Sequence, residues 1–125
     1  MNLRTWQRRY LPITKIRSPK TELEAARLSL RKWQGLRPEV IKKVRVTGLD
    51  LMDRYSGDDT CALCIFNDVK HKGCVNCILY KLDAGCTEFD DSPWREALST
   101  DDPSKLIEAL TLAVNVLEGK VEQHA

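Results

Sequence analysis

The stretch Asp102–Val121, DPSKLIEALTLAVNVLEGKV, places Leu106, Ile107, Leu110, Val114, Leu117 and Val121 at the three-and-four spacing of one helix face. Asp102-Pro103 ahead of it is a cap followed by a proline suited to a first helical turn. A long amphipathic helix is therefore predicted here. It needs a partner for its apolar stripe, which makes the rest of the chain a search for other helices. Ser92-Pro93-Trp94 repeats the cap-and-proline pattern and opens a shorter helix just before it.

Toward the N-terminus, Leu23, Ala26, Leu30 and Trp33 recur at helical spacing and Gly35 offers a stop. Two starts compete for this helix: Ser18 capping Pro19, or a capping box of Thr21 with Glu24. Pro38 opens a further helix with Val40, Ile41 and Val44 as its apolar side, although the β-branched run there tolerates strand as readily. Leu49–Tyr55 reads as one or two more helical turns, and 56–59 as a loop. The first twenty residues hold six Lys/Arg, no acid, and apolar Leu3, Trp6, Tyr10, Leu11, Ile13 and Ile16. They are expected to lie against the body, because such apolar surface is costly to leave wet.

Between these helices sits a cysteine-rich middle. Cys61-Ala-Leu-Cys64 is followed after nine residues by Cys74-Val-Asn-Cys77, and after eight more by Cys86. A two-residue spacer bends the chain into a knuckle with both sulfurs on its concave edge, and four thiolates complete a tetrahedral zinc site. One Zn2+ held by Cys61, Cys64, Cys74 and Cys77 is the expected cofactor, with Cys86 as an alternative ligand. His71, between Lys70 and Lys72, is read as part of an exposed basic loop. A short helix over 75–82 is expected to start at the second knuckle, its N-terminal dipole facing the thiolates. The fold class is thus mostly α, a small helical domain with an inserted C-x2-C…C-x2-C zinc-binding loop. As a single domain, 1–125 divides into a basic arm (1–20), a helical part (21–56), the cysteine-rich zinc segment (57–91) and a helical end (92–125).

The 125 residues are 42% hydrophobic and 30% charged, which excludes a disordered tail, a collagen-like repeat and a membrane span. The start MNLRTWQRRY has no apolar core of a secretory signal, so a cytoplasmic chain is expected. In a reducing compartment, paired cysteines are metal ligands or redox groups more often than disulfides. The net charge of +2 conceals a separation: Met1 to Gly48 carries +10 and the remainder −8. Clustered cations attract polyanions; equally, the two halves would neutralise if they faced each other. The candidate partner-binding residues are Arg4, Arg8, Arg9, Lys15, Arg17, Lys20, Arg31 and Lys32. Trp6 and Tyr10 are further candidates, as stacking platforms for bases, whereas Trp33 falls on an apolar stripe and reads as core.

No H-E-x-x-H, no deaminase H-x-E with P-C-x-x-C, no P-loop and no G-x-S-x-G is present. Structural zinc is therefore expected, not catalytic zinc, and the chain is not expected to be an enzyme; a thiol-redox role for either cysteine pair is the enzymatic alternative. The acidic residues Asp58, Asp59, Asp68, Asp83, Glu88, Asp90 and Asp91 read as a solvated surface.

Trp6 with Tyr10-Leu11-Pro12, Ser29-Leu-Arg-Lys-Trp-Gln-Gly-Leu-Arg37, the two cysteine pairs, Gly85-Cys86 and Leu106-Ile-Glu-Ala-Leu110 follow one another in an order that resembles a group of small cysteine-rich proteins encoded by bacteriophages. The group commonly has Pro-Leu after the second pair, where this chain has Ile78-Leu79. The resemblance implies a viral origin, zinc binding and the host cytoplasm as location; it supplies no activity. The functions to weigh are a module that binds a host protein, such as a defence factor, and a nucleic-acid binder using the basic half. Ile65 and Ile78, where zinc ribbons usually carry Gly, and the acidic half argue against the second. The sequence leaves the oligomeric state open.

Overall fold

A computed structural model describes residues 1–44, 50–67, 77–82 and 92–120. Over these residues the chain is mostly helical: α1 (Leu3–Tyr10), α2 (Ile13–Arg17), α3 (Glu22–Gly35), α4 (Pro38–Ile41), α5 (Leu51–Tyr55), α6 (Ala62–Phe66), α7 (Ile78–Lys81), α8 (Pro93–Thr100) and α9 (Ser104–Leu117), with a 3-10 turn at Asp58–Thr60.

The centre of the fold is α3, which packs against α9, α6 and α1; α8 and α7 pack in turn on α9. Of the two possible starts, Thr21 is the cap of α3, its hydroxyl accepting from the Glu24 N–H at 3.1 Å. Ser18 instead ends α2, and Pro19 is buried. The long C-terminal helix forms over Ser104–Leu117, with Leu106, Leu110, Ala113 and Val114 buried; Val121, the last residue of the expected stripe, lies outside the described residues. Asp102 caps it one residue further out than a regular N-cap, its carboxylate accepting from both the N–H and the hydroxyl of Ser104. Those bonds hold the Asp102 carboxyl below the usual carboxylate range. Ser92 caps α8 with Pro93 in its first turn. The helix expected from Pro38 is only one turn, so Val44 lies beyond its end.

The basic arm lies against the body as two helices. Trp6, Leu11 and Ile16 are its buried residues, and Trp6 has no exposed surface. The Trp6 indole donates to the Gly35 carbonyl at 2.8 Å and stacks on Tyr55 with centroids 5.2 Å apart. Gly35 is required by proximity: a Cβ there would stand 2.4 Å from Cγ of Tyr10, so only glycine lets α1 lie this close to the end of α3. Arg31 closes the other end of the contact, its guanidinium donating to the carbonyls of Arg8 and Arg9 at the last turn of α1. No described helix is long and apolar enough to cross a membrane.

Candidate metal centre

The first knuckle is built by α3 and α6 together. Cys61 is the N-cap of α6, and its sulfur accepts the Cys64 N–H at 3.4 Å. Ser29, buried on α3, accepts the Leu63 N–H at 3.2 Å and stands 3.8 Å from the Cys61 sulfur. The hydroxyl thereby fixes the start of α6 and touches the thiol. One turn further along α3, Lys32 is 1% exposed. Its ammonium donates to Thr60 Oγ1 at 3.3 Å and Gly57 O at 3.4 Å, and lies 5.0 Å from the Trp33 ring centroid. The segment leading into Cys61 is thus tied to α3 by a buried cation.

These surroundings are those of an anion. The Cys61 thiol is held down to about 6, chiefly by the hydrogen bond with the Cys64 side chain; burial opposes this, and the Lys32 charge, the Cys64 N–H and the Ser29 hydroxyl assist it. Cys77, the N-cap of α7, behaves oppositely. Burial pushes its thiol up to about 11, and the negative charges of Cys61 and Glu22 add to that, while the Leu79 and Tyr80 N–H groups hold it back in part. Cys77 is therefore near enough to Cys61 to feel its charge. Ligation of a metal would require Cys77 to lose its proton, which a cation beside it favours.

The sulfur chemistry fits zinc. Cys61, Cys64 and Cys77 are all free thiols, Cys61 buried and the other two partly exposed. Two of them stand at helix N-termini, and an amide-to-sulfur bond of the Cys64 kind supports metal thiolates. Cys74, Cys86 and His71 lie outside the described residues. Among the described residues no three His, Cys, Asp or Glu side chains are gathered closely enough to hold an ion. Asn67, at the end of α6, donates to Leu63 O at 2.7 Å and has a buried Oδ1 without a donor.

No family model matches the chain, and neither a curated protein nor a solved structure is similar to it.

The candidate partner-binding residues divide into three groups. Arg4, Arg8, Arg9, Lys15, Arg17 and Lys20 are exposed, and none forms an ion pair among the described residues. Arg31 is half-buried and engaged with the α1 carbonyls. Lys32 is a correction: expected on the partner surface, it is buried against Thr60 and Gly57 because its position on α3 falls in phase with buried Ala25, Ser29 and Leu36. Trp6 is corrected likewise, since a side chain with no exposed surface is no platform for bases. Ser29 and Thr60, the hydroxyls that organise the first knuckle, carried no signal beyond helical phase and adjacency to Cys61. Among the described residues the ion pair between the two charge halves is Arg27–Glu118, which joins α3 to the end of α9 and lowers the Glu118 carboxyl.

Proposed function

We propose that the chain is a non-enzymatic helical module, stabilised by one zinc ion on Cys61, Cys64, Cys74 and Cys77 with Cys86 as the alternative ligand, that binds an acidic face of another protein through α1 and α2. The resemblance to phage-encoded chains makes a host protein, and first a defence factor, the partner to test.

One observation carries this reading. Six exposed cations, Arg4, Arg8, Arg9, Lys15, Arg17 and Lys20, stand in the first twenty residues, which contain no carboxylate, and no described acidic group pairs with them. Exposed charges of one sign attract and orient a partner of the other, and raise its rate of encounter. The large apolar side chains exposed among the described residues are only Ile13 and Leu112, so the docking is led by charge.

The test is capture from host lysate on the immobilised zinc-loaded chain, beside a variant carrying Arg4→Glu, Arg8→Glu and Lys15→Glu. A specific acidic protein retained by the parent and lost from the variant supports the reading. Retention of the same protein by both contradicts it.

The same cations favour nucleic acid as a second reading, led by phosphate contacts, with Trp6 unavailable for stacking and Tyr10 only partly buried. Its signature is affinity for duplex DNA or RNA that falls linearly in log–log terms with salt. No binding at ~50 mM salt removes it.

A further inference from the structure

The arm meets the second half of the chain across a groove of about 440 Å³ between α2 and the turn that follows α5. Its open apolar side chain is Ile13, 38% exposed; Leu11 and Ile16 border it too but are closed off, at 0% and 3% exposed. Two exposed cations line it from opposite halves of the sequence, Arg17 on α2 and Arg54 on α5; Asp59 completes the lining on the side of the 3-10 turn.

The Arg54 wall is held in place before anything binds. Its guanidinium lies over the Tyr55 ring at 5.6 Å. Tyr55 in turn stacks on Trp6, accepts from Gln7 Nε2 at 2.9 Å, and receives the Thr60 hydroxyl on its carbonyl at 3.0 Å. A ligand engaging such a wall loses little to the ordering of the protein. An exposed isoleucine between two arginines matches a segment that carries an apolar side chain flanked by carboxylates, since arginine forks pair with carboxylates and an apolar side chain gains by covering exposed apolar surface.

We infer that this groove takes a short acidic peptide segment of the partner, packing one apolar side chain against Ile13 and its carboxylates against Arg17 and Arg54. Asp59 repels carboxylates from its own wall and offers an acceptor to a peptide N–H, which fixes the direction in which charge is tolerated. The inference rests on the reading of the arm as an acidic-protein surface, and adds to it the place and form of the contact.

The probes are two fluorescein-labelled peptides of alternating Glu and Asp around a central Leu pair or a central Ser pair, with a labelled DNA duplex as the third. Anisotropy titrations of the full zinc-loaded chain at ~50 mM salt give their affinities. The Leu peptide is expected to bind about tenfold more tightly than the Ser peptide, the gain for burying one such side chain. Ile13→Asp, on an exposed site, should erase that difference, and Arg54→Glu should weaken the Leu peptide more than Arg4→Glu does. Equal affinity of both peptides, or a difference that survives Ile13→Asp, overturns the groove while leaving the charge-led arm standing. Binding of the duplex alone overturns both in favour of nucleic acid; binding of none of the three probes overturns both outright.

Discussion

The helical frame and the cysteine-bearing segment are held together by different means. In the frame, α3 and α9 are 14 residues each and bury long apolar stripes against one another, and α1 is locked on by the Trp6 indole on Gly35 O and the Arg31 guanidinium on the carbonyls of α1. In the cysteine segment, α6 has five residues and α7 four. Helices that short have too few internal bonds to persist alone. α6 has α3 to dock on through Ser29, and α7 packs on α9, while Cys61, at the start of α6, sits among donors and a buried cation that favour its thiolate. Direct packing thus accounts for the first region, whereas the second adds to packing the zinc site proposed above.

The largest effect expected is on the frame. Trp6→Ala empties a fully buried site and leaves the Gly35 carbonyl without its donor, at a cost of about 4 kcal/mol. Urea unfolding should show that loss with and without zinc; a loss confined to the zinc-loaded form would mean that α1 belongs to the metal-dependent region. Next come the ligands. Cys61→Ser or Cys77→Ser should abolish zinc uptake and remove the stabilisation that bound zinc confers, about 3 kcal/mol when zinc exceeds its Kd a hundredfold. Cys86→Ser should be milder, and equal damage from it would place Cys86 in the ligand set. Metal content by mass spectrometry reads all three.

A smaller effect concerns pH in the metal-free chain. Because the Cys61 thiol ionises at about 6 in the fold against an ordinary 9.0, its ionisation stabilises the fold fully above about 9 and that contribution is lost as pH falls through about 6. Cys77, at about 11, acts in the opposite sense between 9 and 11. The melting temperature of the chelated protein should therefore rise from pH 6 to 9 and fall beyond it. Lys32→Met should flatten the rise and move the alkylation midpoint of Cys61 upward; an unchanged midpoint would show that Lys32 has no part in the thiolate's environment. Least of all, Arg27→Ala should change stability little, since Arg27 is an exposed partner of a surface pair. A larger loss would make that pair part of the frame.

The two long helices were legible because apolar period and caps agree: Leu106, Leu110 and Val114 bury the face their spacing predicts, and Trp33 is core as its stripe implied. The cap of α3 was legible only as a choice, since Ser18-Pro19 and Thr21 with Glu24 are both sound starts and packing of α2 decides between them. Lys32 is misread from sequence, and Trp6, expected with the arm to lie against the body, also stands as a stacking candidate, for a shared reason. Residue type allows a surface cation and a surface aromatic, and what fixes them inside, Thr60 Oγ1 and Gly35 O, lies 28 and 29 residues away, at distances no local pattern encodes. The α2–α5 groove likewise joins Arg17 to Arg54 by topology alone. The cysteine spacing identified a thiol pair that the fold surrounds with donors, while two of the five thiols, Cys74 and Cys86, fall outside the described residues.

Amide hydrogen exchange of the full chain, with zinc bound and after chelation, tests the division into two regions most directly. Protection in α6 and α7 should collapse on chelation while α1, α3 and α9 keep theirs. Identical protection in both states, with no zinc recovered from the protein, would contradict it.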